Sequence, residues 1–377
     1  MELNVMQPDQ LDDLIQGISL ADYQVIGPME SNGAIAYEPI ESADDLPRGI
    51  IDHQRPGKYA LQKIQSSRFF GYTVSPFSWK KYLYPPVQTL FKAERNGQGI
   101  QLETDSHDVK YAFIGVRACE LSAIKIQDKI FLGGDYVDLH YKERRENALI
   151  VAVECFNTCE TCFCDSVGSG PEIPNGADIV LTEILESGEH YFLVRSETEA
   201  GQEILNQISL KDTENNHYLI KDAQLERVRA KLKRKVQTTG LKSKLLKNPD
   251  HPRWDEVAER CLACSNCTMV CPTCFCADVF DINDLDGNTK RERRWDSCFT
   301  SDFTYIHGGN IRHSVKSRYR QWLTHKFASW QDQFDSLGCV GCGRCITWCP
   351  PGIDITEELK ALSIPPNQYK KGEINHV

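Results

Sequence analysis

The alternation of apolar and polar positions divides the chain into two unlike parts. In the first two-thirds, short apolar runs are separated by helical spacings. Gln10-Leu-Asp-Asp-Leu-Ile-Gln16 places its apolar residues three and four apart and predicts a helix. Tyr23–Ile26 and Ala34–Tyr37 predict short strands, and Val109–Val116 a buried strand leading into a helix from about 120 to 129. The charged stretch Leu139–Glu146 precedes the longest apolar run, Ala148–Val153, read as another strand. Further strands are expected at Ile179–Leu185 and Tyr191–Val194, with a helix over about 197–207. Strands alternating with helices predict an α/β fold over 1–225, a sheet covered by helices.

From Arg227 to Lys247 the pattern turns basic, with nine Lys or Arg and no acidic residue. A solvated linker helix over 226–250 is the expected form, ahead of nucleic-acid contact; a docking face for an acidic partner is a third reading. Pro252 marks a boundary, and 251–377 is expected to form a second, mainly α-helical domain. There Tyr319–Trp330 has helical apolar spacing. Asp281–Gly287 superficially resembles a calcium loop, but Leu285 stands where an oxygen ligand is needed, so a turn is expected.

The 377 residues allow two or three domains at roughly 150 residues each. A formal charge of -10 argues against general nucleic-acid binding. No apolar run approaches the roughly 20 residues of a spanning helix, and residues 1–10 carry no export signal, so a cytoplasmic protein is expected.

Cysteine changes this picture most. There are 16, five of them between Cys119 and Cys164 and eleven between Cys261 and Cys349. Clustered thiols in a long cytosolic chain point to metal rather than to disulfides. Cys261-Leu-Ala-Cys264-Ser-Asn-Cys267-Thr-Met-Val-Cys271-Pro272 is C-x2-C-x2-C-x3-C-P, and Cys339-Val-Gly-Cys342-Gly-Arg-Cys345-Ile-Thr-Trp-Cys349-Pro350 repeats it. This is the run that holds [4Fe-4S] clusters in bacterial ferredoxins, where the fourth cysteine completes the neighbouring cluster. Cluster 1 is therefore assigned to Cys261, Cys264, Cys267 and Cys349. Cluster 2 is assigned to Cys339, Cys342, Cys345 and Cys271. Zinc knuckles need only four ligands and lack the x3-C-P tail. The long interval 272–338 predicts a helical dicluster domain rather than a compact ferredoxin.

Upstream, Cys155-Phe-Asn-Thr-Cys159-Glu-Thr-Cys162-Phe-Cys164 directly follows the Ala148–Val153 strand, at a strand's carboxyl end. If the strands are neighbours, Cys119 reaches the same place. Five thiols then stand ready for a third cluster. Thr161-Cys-Phe-Cys164 recurs as Thr273-Cys-Phe-Cys276. Cys274, Cys276 and Cys298 remain over; they ligate another centre, supplement the upstream one, or are buried near cluster 2. Trp295, Trp330 and Trp348 are read as core packing before any role in drying a site. No phosphate-binding glycine loop, hydrolytic triad or acid–base pair is present, so no catalytic residue is assigned. Clusters alone move single electrons.

Trp295-Asp-Ser-Cys-Phe299, Tyr305-Ile-His-Gly-Gly309, Ser317–Lys326 and Gly338–Pro350, with Trp79–Pro86 and Gly115-Val-Arg-Ala-Cys119 upstream, resemble the beta subunit of cytosolic sulfhydrogenases. They are also similar to the iron–sulfur subunit of anaerobic sulfite reductase. The resemblance covers about the whole chain. It implies an iron–sulfur protein that relays electrons between a flavin-carrying, NAD(P)-linked partner and a catalytic subunit. That catalytic subunit would be a NiFe hydrogenase or a sirohaem reductase. It also implies Cys119, Cys155, Cys162 and Cys164 as ligands of the third cluster, with Cys159 spare or an alternative fourth ligand. A self-contained flavin-binding oxidoreductase and a redox sensor are the rival readings from other classes.

Overall fold

The computed structural model describes residues 3–96, 99–104, 109–186, 188–285 and 287–372. An eight-stranded mixed sheet forms its larger core. Its order is Lys211–Asp212, Asn4–Met6, Glu189–Ser196, Ile179–Glu186, Leu149–Val153, Tyr111–Val116, Gln24–Ser31 and Ala34–Pro39. The four strands from Ile179–Glu186 to Gln24–Ser31 run parallel; the pairings outside them are antiparallel. Leu149–Val153 is buried along its whole length, as a central parallel strand must be. Each such side chain removed from water contributes about 1.5–3 kcal/mol before entropy is counted.

The strands and helices expected from the apolar pattern up to residue 207 occur with their ends shifted by a few residues either way. The first helix is Gln10–Leu20, and the helix after the Tyr111–Val116 strand is Ala118–Phe131. The charged stretch Leu139–Glu146 is itself a helix, started by the Asp138 carboxylate accepting from the Tyr141 N–H.

A second sheet was not legible in the pattern. It has the order Ala277–Asn283, Thr289–Trp295, Val87–Asn96 and Gly99–Glu103. Its first two strands form a hairpin from the C-terminal part, and Thr289–Trp295 pairs antiparallel with Val87–Asn96 from the N-terminal part. The C-terminal part is thus not built of helices alone. Its helices include Arg253–Arg260, the run Val315–Thr324, π-helical His325–Ser329 and Trp330–Phe334, and Ile355–Leu362; the cysteines lie in the segments between these. The calcium-like stretch lies in the hairpin, where the turn begins at Asp284; Asp286 lies outside the described residues.

The basic stretch spans the end of the helix Asn215–Lys231, an irregular connection and the short helix Leu241–Lys247. Much of its charge is matched within the chain. Arg227 pairs with Glu186, Arg229 with Glu172 and Glu226, Arg234 with Asp354, and Lys242 with Asp332. Among the described residues no helix is long and apolar enough to cross a membrane.

Candidate metal centres

The two ferredoxin-type runs fold as loops, each with a single helical turn, Asn266–Met269 in one and Arg344–Thr347 in the other. They enclose two adjoining cavities. The first is lined by Cys261, Cys264, Cys267 and Cys349, with Phe299, Tyr319 and Trp322 as its aromatic wall. The second is lined by Cys271, Cys339, Cys342 and Cys345. The fourth cysteine of each run therefore lies in the other run's cavity, the crossed arrangement expected from the spacing. Cys345 lines both cavities.

Among the described residues, no three His, Cys, Asp or Glu side chains converge tightly enough to hold a single ion. The thiols instead ring volumes. Burial is the first cause that pushes several of them up: Cys267 and Cys345 well above the ordinary thiol value, Cys339 to about 12 and Cys349 to about 11. Uncompensated thiolates are therefore costly here, whereas a metal core supplies the missing positive charge. The donor set fits cubane clusters. Cys264 is the one exposed thiol of the sixteen, so the first cavity is the outer one, and the second, none of whose thiols is exposed, the inner one.

The upstream cysteines converge through the sheet. Tyr111–Val116 and Leu149–Val153 are parallel neighbours, so Cys119, in the first turn of its helix, and the 155–164 loop emerge at the same carboxyl end. Glu120 caps that turn by accepting from the Arg117 N–H at 3.2 Å. Cys119, Cys159, Cys162 and Cys164 are buried in one packed cluster that also contains Cys342. Cys155 is half-buried. Burial raises its thiol, and the neighbouring Arg117 guanidinium opposes that rise.

The 161–164 loop backs directly onto the second run. The Phe163 N–H donates to the Gly341 carbonyl at 2.8 Å, and Cys162 Sγ lies 3.9 Å from the Cys342 carbonyl oxygen. Glycine is required at two positions of this contact. Gly341 and Gly343 have φ of +60° and +78°, and a Cβ on either would stand within 2.6 Å of the 161–164 loop.

The echo of Thr-Cys-Phe-Cys extends into three dimensions. Cys159 Sγ lies 3.2 Å from Thr161 Oγ1, and Cys271 Sγ lies 3.1 Å from Thr273 Oγ1. Hydrogen bonding with Cys274 is the largest cause holding the Cys271 thiol well below its ordinary value. At Cys159 burial acts upward, but hydrogen bonds with Cys162 and Thr161 outweigh it. The leftover thiols fall between the two cavities. Cys274 neighbours Cys271 and Cys276, while Cys298 neighbours Cys276 and Cys267. Hydrogen bonding with Cys298 brings Cys276 down to about 7.

Buried charges tie the site together, and sequence reasoning had assigned them no role. Arg344, inside the second run, is fully buried and donates to the Ser75 and Phe77 carbonyls and to Glu120. Glu120 also accepts from Tyr37 Oη at 3.1 Å and Trp79 Nε1 at 3.2 Å. Lys326 Nζ lies 3.1 Å from Cys271 Sγ. Lys80 donates to the Cys271 and Cys274 carbonyls, both at 3.1 Å, and sits over the Trp295 ring. Nothing in the local pattern separates such cations from solvated ones. Of the three tryptophans, Trp330 is buried against Phe275 and Phe334; the first cavity is walled by Trp322 instead.

Comparison with known proteins agrees with this geometry. Residues 260–353 match the family described as a 4Fe-4S dicluster domain. The chain is 32% identical over 343 residues to the sulfhydrogenase 2 subunit beta of Pyrococcus furiosus, covering 90% of this chain and 91% of that one. No solved structure matches. With the crossed cysteine sets in place and a relative aligned along nearly its whole length, the chain belongs to the family of sulfhydrogenase beta subunits.

Proposed function

We propose that this protein is the electron-relay component of a cytoplasmic hydrogenase of the sulfhydrogenase type. Electrons pass singly between a flavin-carrying, NAD(P)-linked partner and a NiFe catalytic partner. The observation that carries the reading is the crossed lining of two adjoining cavities by two cysteine quartets. Each quartet would hold one [4Fe-4S] cluster, which supplies reversible one-electron chemistry when bound.

The chain's own residues provide the rest. Cys261, Cys264, Cys267 and Cys349 hold the outer site, and Cys271, Cys339, Cys342 and Cys345 the inner one. Cys119, Cys155, Cys162 and Cys164 hold a third site behind the inner one; Cys159 is the alternative fourth ligand. Phe299, Tyr319 and Trp322 exclude water from the outer cavity's wall. The packing of the upstream cysteines against Cys342 and the sharing of Cys345 support a continuous line from the 155–164 loop to the exposed Cys264. The α/β part up to about residue 225 acts as the platform for the third site. The chain converts no substrate of its own.

The test is anaerobic purification followed by iron and inorganic sulfide analysis. Cys264→Ser is expected to lower iron by one cluster's share and to stop electron flow through the complex. Wild-type protein that is colourless and free of sulfide overturns the reading.

A further inference from the structure

The inner cavity is lined by a lysine, whereas among the described residues no lysine or arginine lines the outer one. Lys326, in the π-helical segment His325–Ser329, is 3% exposed. Its Nζ lies 3.1 Å from Cys271 Sγ, 3.3 Å from Thr273 Oγ1 and 2.9 Å from the Gly338 carbonyl. Three N–H groups thus meet three acceptors, and the side chain lines the cavity with Cys271, Cys339, Cys342 and Cys345. None of these partners is a carboxylate. Arg344, the other cation of this cavity, is neutralised by Glu120. Arg260 and Arg318 act on Cys261 of the outer cavity from beyond its lining, Arg260 paired with Glu358 and Arg318 bound to the Phe299 carbonyl.

A buried cation without an anion is expensive, so the fold retains Lys326 for a negative charge that the inner cavity acquires. A cubane bound by four thiolates is an anion in both oxidation states and becomes one charge more negative on reduction. An ammonium one hydrogen bond from a ligand sulfur, in a low-dielectric setting, favours the more negative form.

We propose that Lys326 is a positioning and tuning residue that sets the inner cluster's reduction potential above the outer cluster's. The inner site then becomes the place where an electron rests. The step it biases is the transfer of one electron from the outer or the upstream centre to the inner one, with no bond broken and no proton required. This inference rests on the two-cluster reading proposed above.

The experiment is a potentiometric titration of the anaerobically purified full-length protein, followed by electron paramagnetic resonance. Cys264→Ala and Cys342→Ala assign the outer and inner signals by loss. In the wild type, the higher-potential signal of the pair is expected to be the one lost in Cys342→Ala. In Lys326→Gln that signal alone should move to lower potential, with iron content unchanged. The inference is overturned if the higher-potential signal is the one lost in Cys264→Ala. It is equally overturned if the Lys326→Gln titration superimposes on wild type. Should Lys326→Gln lose iron, the wild-type order of the two signals still decides. Iron-free wild-type protein would instead overturn the cluster reading itself.

Discussion

The two cysteine-rich regions solve one problem by opposite means. Each C-terminal run lines one cavity with three cysteines of a local loop, and its fourth cysteine lines the other run's cavity. The upstream set has no such autonomy. Cys119 comes from a helix start and the others from a loop after a different strand; the parallel pairing of Tyr111–Val116 with Leu149–Val153 alone brings them together. The first arrangement tolerates exposure, as at Cys264, whereas four of the five upstream cysteines are buried. A site encoded by spacing can sit at a surface. One encoded by topology needs the core around it.

That difference predicts where the molecule breaks. The largest effect is expected at the Arg344–Glu120 pair, which joins the second run to the start of the Cys119 helix. Removing one partner strands a buried charge, so Arg344→Ala should cost about 3–5 kcal/mol. Chemical denaturation would measure this, and a loss below about 1 kcal/mol would show that the two regions are not coupled through the pair. A smaller loss is expected for Gly343→Ala, about 1–3 kcal/mol from the positive φ, with further cost where the new Cβ meets Thr161. On the proposed three-site reading its mark should be selective: iron lost from the upstream cysteines before the outer quartet. Equal loss from both would remove the contrast between the regions.

The smallest effect belongs to the basic stretch. Arg229, about a third exposed, pairs with Glu172 and Glu226 at the surface, and Arg229→Ala should change stability by no more than about 1 kcal/mol. A drop of several kcal/mol would show that this stretch clamps the two regions together rather than merely joining them.

Much of the fold could be read from the chain because the central strands are buried on both faces and therefore print continuous apolar runs, Ala148–Val153 above all. The second sheet left no such print. Gly99–Glu103 is exposed along its length, and Ala277–Asn283 mostly so; neither has a buried face to impose alternation on its residues. The expectation of a mainly helical C-terminal part fails to include this hairpin for the same reason. In the site, the two cysteine runs were legible because runs of this kind keep a fixed spacing, and the neighbourhood of the upstream strands was anticipated only conditionally.

The sequence by itself determined which residues stand ready to ligate: two ferredoxin-type cysteine runs and an upstream group of five thiols. Tertiary structure alone decided which cations face those thiols and which cavity is the inner one. Lys326 and Lys80 look like any other lysines along the chain. Their burial, and with it their electrostatic weight, exists only after distant segments have closed over them and excluded water.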